Sequence, residues 1–231
     1  MENIKVIFID IDNTLLDFDE YVKETMKNGF KQFSLKEYQP YMYDIFTQEN
    51  NKLWLQIEKG ELTFQELEKI RWNNVFKALD INFDGVLFEK YFRSALYNSA
   101  ILINHALEML SYLNRKYILC VASNGPYNQQ IHRLEIANIK KYFSYYFISE
   151  KIGYSKPNKE FFKEAFKELN QKIDVLPNEC MIIGDSLTSD IKGGHEYNMK
   201  TCFFNKHKKD IKFNENIDYI IDDLKNIENI L

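Results

Sequence analysis

Five short runs of apolar, β-forming residues, each followed by polar residues able to do chemistry, limit what this chain can fold into. The runs are residues 5–9, 117–122, 145–148, 180–183 and 201–204. Each is continuous rather than alternating, the pattern of a strand covered on both faces. Between them, apolar residues recur at helical spacing. Ala106, Leu110 and Leu113 precede the second run, and Phe161, Phe162, Ala165, Phe166 and Leu169 follow Pro157. Leu224, Ile227 and Leu231 predict a closing helix. Strand alternating with helix predicts an α/β protein with a doubly wound parallel sheet.

More than 100 residues separate the first run from the second, where one crossover helix needs far fewer. Residues 19–95 carry no convincing strand. Val22, Met26, Phe30 and Phe33 mark one amphipathic helix there, and residues 41–57 a second. Leu67, Ile70 and Val75 mark a third, opened by Thr63 and Glu66 in a capping pattern. Phe88, Tyr91, Phe92, Ala95 and Leu96 mark a fourth. The expected organisation is a core of residues 1–18 and 96–231 with an all-helical insertion, residues 19–95.

Composition narrows the function. A chain of 231 residues, 45% of them hydrophobic, can bury a sizeable core. A net charge of −4 argues against a broad basic face for a nucleic-acid polymer. No apolar run approaches the ~18 residues of a membrane span. The first residues lack a basic leader region, so a cytoplasmic protein is expected. Cys120, Cys180 and Cys202 are odd in number and lie in apolar runs, which predicts buried, reduced thiols. Residues 206–209, Lys-His-Lys-Lys, read as a solvated loop.

The strand tips carry the chemistry. The first run ends in Asp10-Ile11-Asp12-Asn13-Thr14, and the second in Ser123-Asn124-Gly125. Ser155-Lys156-Pro157 follows the third, and the fourth runs into Gly184-Asp185 with Asp190 close behind. In an open α/β sheet such tips line one crevice, where ligands bind. Clustered carboxylates repel unless a cation sits among them, and hard oxygens with room for water suit Mg²⁺. A carboxylate can attack phosphorus, while a lysine and a metal neutralise the phosphoryl oxygens. Ser123 and the N–H groups of the turn after it suit those oxygens. Pro157 disfavours the helical region at Lys156 and is expected in the first turn of the following helix. Gly193-Gly194, inside a helical pattern, reads as close packing of helix on sheet.

These motifs resemble those of the haloacid dehalogenase superfamily, with a helical cap inserted after the first strand. All four of the family's motifs are present in order and span almost the whole chain. The resemblance implies a Rossmann-like core in which Asp10 is the nucleophile and Asp12 the general acid/base. It implies that Ser123, with Asn124 beside it, and Lys156 bind the phosphoryl group. It implies that Asp10, Asp185, Asp190 and the main-chain carbonyl of Asp12 hold or support Mg²⁺. The cap is expected to close over the crevice and to select the leaving group. Within the superfamily the chain is similar to the pyrimidine 5′-nucleotidase group, through residues 51–54 with Gly60 and Thr63, Asn124-Gly125 and residues 156–159.

Other activities are weighed against the same residues. A dehalogenase of this superfamily needs no metal and lacks the second acid, so Asp12 argues against it. A phosphomutase shares all four motifs and stays open. A phospho-acceptor signalling domain is much shorter, carries no helical insertion and places its acceptor on the third strand, whereas the third run here ends in Ser149-Glu150 with no aspartate. The expected partner is a small phosphate monoester, on a monomer or dimer. Phe18, Tyr21, Phe30, Phe33, Trp54 and Phe64 make the insertion rich in aromatics, which suits a stacked base better than a sugar phosphate. Lys52 and Trp54 are the candidate cap residues, although Trp54 reads first as cap core.

Overall fold

All five runs become parallel strands: β1 (Val6–Ile9), β2 (Ile118–Ser123), β3 (Tyr145–Ile148), β4 (Cys180–Gly184) and β5 (Lys200–Phe204). A sixth, β6 (Tyr219–Ile221), extends one edge. The computed structural model describes residues 4–211 and 214–231. The sheet runs β3-β2-β1-β4-β5-β6 with every neighbouring pair parallel. Strand order therefore reverses beside β1, the place where open sheets of this kind leave a crevice. Ile9 pairs in register with both Val121 and Ile183, so Asp10 leaves the sheet level with Ala122 and Gly184.

The chain divides into two compact units, one of residues up to Asp17 with Ala100–Leu231, the other Phe18–Ser99. The second is wholly helical: α1 (Phe18–Gln32), α2 (Pro40–Glu58), α3 (Phe64–Ala78) and α4 (Gly85–Tyr97). Thr63 opens α3 as expected, accepting from Glu66 N while Glu66 reaches back to Thr63 N. Trp72, Phe76, Phe88 and Phe92 are fully buried in this unit, with ring centroids 4.3–5.5 Å apart for the pairs Trp72 makes with the other three. The aromatics of the insertion are thus in large part its core. Buried Arg71 pairs with buried Glu89 and donates to Asn50 Oδ1.

In the sheet unit, side chains alternate between two apolar layers. Ile7, Ile9, Val121, Met181 and Ile183 face one layer, filled by Met109, Leu110 and Leu113 of α5 (Ala106–Leu113) and by Leu134 of α6 (Tyr127–Ile136). Beyond β3 the chain makes one short turn of helix, α7 (Ser149–Ile152). Val6, Phe8, Cys120, Ala122 and Ile182 face the other layer, filled by Phe161, Phe162, Ala165 and Phe166 of α8 (Lys159–Leu169). Both faces being covered explains the continuous apolar runs. A Cβ on Gly194, in α9 (Lys192–Glu196), would lie 2.3 Å from Ile182 Cγ2, so the glycine permits close packing on β4. All three cysteines are free and buried, and burial pushes the Cys180 and Cys202 thiols up to about 12.

Three local expectations are corrected. Pro157 lies outside α8, because Asn158 is the N-cap and accepts from Glu160 N. The closing segment is a 3₁₀ helix, Leu224–Asn229. Its buried Leu224 and Ile227 are three apart, the spacing that eclipses in a 3₁₀ turn. The basic loop is not wholly solvated: the Lys206 side chain is 17% exposed and pairs with Asp17.

Candidate active site

At the end of β1, Asp10 keeps the sheet pairing through its N–H to Ile183 O (3.0 Å) and then turns its carboxylate inward, 7% exposed. Asn13, in the left-handed region at φ 59°, lets the chain fold back. Thr14, Leu15 and Leu16 all donate to the Ile11 carbonyl. Thr14 Oγ1 also reaches Asp10 Oδ2 at 3.3 Å. Lys206, beyond β5, ties this loop by donating to Asn13 Oδ1 (3.1 Å) and Asp17 Oδ1 (3.0 Å).

Lys156 is held from two directions. Its N–H donates to Asn124 Oδ1 (2.8 Å), and Asn124 Nδ2 donates back to Lys156 O (2.9 Å). The Asn124 side chain thus positions the lysine. The Lys156 ammonium, 1% exposed, donates to Asp10 Oδ1 (2.9 Å), to Asp190 Oδ1 and to the Ala122 carbonyl. An ammonium has three protons, and each has a partner here. Burial alone would lower the Lys156 pKa, but Asp10 and Asp190 outweigh it and hold it above the ordinary lysine value. Burial pushes the Asp10 carboxyl up to about 7; Lys156 pulls the other way, and Asp190 and Asp12 push it higher.

Beyond β4 the chain enters a short π-helical turn, Leu187–Ile191, with Ser186 as its N-cap. Asp190 is 1% exposed, and Ser186 N donates to its Oδ2 at 3.1 Å. Gly184 makes the room: a Cβ there would lie 2.2 Å from Asp190 Oδ2. One oxygen each from Asp10, Asp185 and Asp190 lie within 4.8 Å of one another. The donors are hard oxygens set close together, so this set fits a divalent cation of the magnesium kind.

Asp12 faces another way. Its carboxylate accepts from Arg133 Nη1 (2.7 Å) and Gln130 Nε2 (2.9 Å), both on α6. Ser123, the last residue of β2, also accepts from Gln130 Nε2 (2.9 Å). Asp10, Ser123, Asn124, Lys156, Asp185 and Asp190 thus belong to the strand ends of one unit, with Asp12 beside them. Lys52 and Trp54 belong to the helical unit. Lys52 is exposed and pairs with Glu49. Trp54 lies with its ring centroid 5.9 Å from that of Phe64, the two rings tilted, and packs against Leu53, Ile57 and Leu67, which favours its reading as core of that unit.

The family profile of the haloacid dehalogenase-like hydrolases matches residues 4–198. The chain belongs to this hydrolase family. YfnB of Bacillus subtilis is 31% identical to it over 212 residues, covering 90% of this chain and 87% of that one. A crystal structure of YfnB bound to magnesium matches with a TM-score of 0.89 and 29% identity, covering 100% of this chain and 99% of that one. Pyrimidine 5′-nucleotidase PynA of Streptococcus pneumoniae is 30% identical over 205 residues, 88% of this chain and 84% of that protein. Glyceraldehyde 3-phosphate phosphatase of Pyrococcus furiosus is 27% identical over 241 residues, covering 100% and 94%.

Sequence reasoning passed over the parts that Gln130, Arg133 and Lys206 play in this hydrolase's site. Gln130 and Arg133 sit on α6 among polar neighbours, and only their position just after Ser123-Asn124-Gly125 hinted at inward-facing side chains. Lys206 was hidden in a basic run. Gly184 was legible as part of the fourth motif, but its service to Asp190 needed the fold.

Proposed function

We propose that this hydrolase is a Mg²⁺-dependent phosphomonoesterase that works through a phosphorylated Asp10 and prefers pyrimidine nucleoside 5′-monophosphates. The observation that carries the reaction class is the buried Lys156 ammonium shared by Asp10 and Asp190, with Asp185 beside them. Asp10, Asp185 and Asp190, with the main-chain carbonyl of Asp12 that the family resemblance implies, would hold Mg²⁺, which when bound neutralises negative charge on the transferring phosphoryl group.

The chain's own groups do the rest. An Asp10 carboxylate oxygen attacks phosphorus in line as the bond from phosphorus to the leaving alcohol oxygen breaks. Asp12 gives that oxygen its proton, and Asp10 now carries the phosphoryl group as an acyl phosphate. Asp12, a carboxylate after donating, takes a proton from water as the water oxygen attacks phosphorus. The bond from phosphorus to Asp10 breaks, inorganic phosphate leaves, and both carboxyl groups return to their starting states. Ser123 donates its hydroxyl proton to a phosphoryl oxygen. Lys156, with its three protons already placed, acts on the phosphoryl group by charge at short range. The sheet unit is the catalytic core in this reading. The helical unit, Phe18–Ser99, is the cap that selects the leaving group, and the enzyme works in the cytoplasm.

Similarity to PynA supports the nucleotide preference. A sugar-phosphate preference is the second reading, favoured by the alignment with glyceraldehyde 3-phosphate phosphatase, which runs the length of this chain. A panel of monoesters assayed with Mg²⁺ separates them. UMP, dUMP and dTMP are expected to exceed glyceraldehyde 3-phosphate and glucose 6-phosphate in kcat/KM. The opposite order moves the assignment to sugar phosphates. Isomerised sugar phosphate without free phosphate would make the protein a mutase.

A further inference from the structure

Gln130 and Arg133 lie one turn apart on α6 and are each 1% exposed. Arg133 Nη1 donates to Asp12 Oδ1 (2.7 Å) and to Gln130 Oε1 (2.9 Å). Gln130 Nε2 donates to Asp12 Oδ2 (2.9 Å) and to Ser123 Oγ (2.9 Å). A guanidinium cannot accept, so Arg133 fixes the amide oxygen of Gln130 toward itself and turns the amide N–H groups toward Asp12 and Ser123. Two consequences follow. Each Asp12 oxygen takes one bond from the buried side, which leaves further lone pairs for a proton passing to or from the open side. The Asp12 side chain is 32% exposed while Arg133 is 1% exposed, so the grip comes from behind. Ser123 Oγ, already an acceptor, keeps its own proton for another oxygen.

We propose that Gln130 and Arg133 are positioning residues that fix the acid/base carboxylate of Asp12 and the donor direction of the Ser123 hydroxyl as one unit, an inference that rests on the reading of Asp12 given above. Burying a guanidinium is costly unless its partners are well made. Here the carboxylate it meets is the one at the strand tip rather than one deep in the core. In this reading neither residue acts directly on phosphorus, the attacking Asp10 oxygen or the leaving oxygen. Their contribution passes through Asp12 and Ser123, so their loss should act on the steps those two serve.

The test compares Arg133→Met, Arg133→Lys and Gln130→Met with Asp12→Asn, using p-nitrophenyl phosphate and a simple alkyl phosphate. Only the alkyl oxygen needs a proton as it departs. Arg133→Met is expected to lower kcat/KM, which reports the steps up to departure of the alcohol and not the later hydrolysis common to both esters, about tenfold or more for the alkyl ester beyond its effect on the activated ester, within the range general acids contribute. Arg133→Lys, which keeps a donor, is expected to recover much of that loss. Gln130→Met should show the same leaving-group bias and also raise KM for both esters, because the Ser123 hydroxyl is no longer steered. Equal losses for both esters in Arg133→Met and Gln130→Met, alongside a biased loss in Asp12→Asn, would overturn the clamp and leave Asp12's role standing. An unbiased loss of kcat/KM in Asp12→Asn would remove the acid role itself, and the clamp with it. If Arg133→Met does not fold, Gln130→Met and Arg133→Lys carry the same comparison.

Discussion

Lys156 concentrates the electrostatics of the site in one side chain. Its ammonium lies between two carboxylates that are themselves nearly inaccessible. Lys156→Met keeps the volume and removes the cation, leaving Asp10 and Asp190 facing each other in the interior. Losing one partner of a buried ion pair costs ~3–5 kcal/mol, so urea unfolding in EDTA should show a loss of that order. Added Mg²⁺ should return part of it, since a second cation would then sit beside the same acids. A loss below about 1 kcal/mol, the scale of an exposed pair, would mean that the lysine does not hold the cluster together. Lys156, Asp10 and Asp185 were legible in the sequence because strand tips converge in any doubly wound sheet. The division of labour among the acids was not. Asp10 and Asp12 are two apart and read as a pair, yet Asp10 meets a lysine from beyond β3 and Asp12 an arginine from α6. Contacts across 146 and 121 residues have no local signature.

Elements were legible in proportion to how fully they are buried. The five core strands announce themselves because both faces are apolar. β6 does not: it has three residues, and its middle one, Ile220, is 53% exposed. The short π-helical turn after β4 has no apolar period of its own, and its geometry is set by Ser186 and Asp190 bonding back to the chain. That junction makes a prediction at the same scale. Gly184→Ala places a methyl group against Asp190, whose carboxylate is pinned by Lys156 and Ser186 and cannot step aside. The junction must open, carrying Asp190 away from Asp10 and Asp185. The Mg²⁺ concentration for half-maximal activity should rise about 10–100-fold, the usual penalty for disturbing the surroundings of a metal site. An unchanged Mg²⁺ requirement would show that Asp190 does not bear on the metal.

At the scale of the whole molecule, one unit carries a parallel sheet with the acids at its strand ends, and the other is a helical bundle with an aromatic core. Chelation should therefore silence turnover completely, Mg²⁺ should restore it, and Ca²⁺ should not, because its longer and looser coordination suits in-line transfer poorly. Full turnover in metal-free buffer would contradict the assignment of the acids. The account's central claim is that Asp10 itself becomes phosphorylated, and the most direct measurement looks for that bond. The Asp12→Asn variant, deprived of its base, is mixed with p-nitrophenyl phosphate and Mg²⁺, quenched in acid, reduced with borohydride and digested. The account predicts homoserine at position 10 in the peptide from the end of β1, and none when Asp10→Asn is added to the same chain. Release of one equivalent of p-nitrophenol in the first turnover with Asp10 unmodified throughout would contradict it.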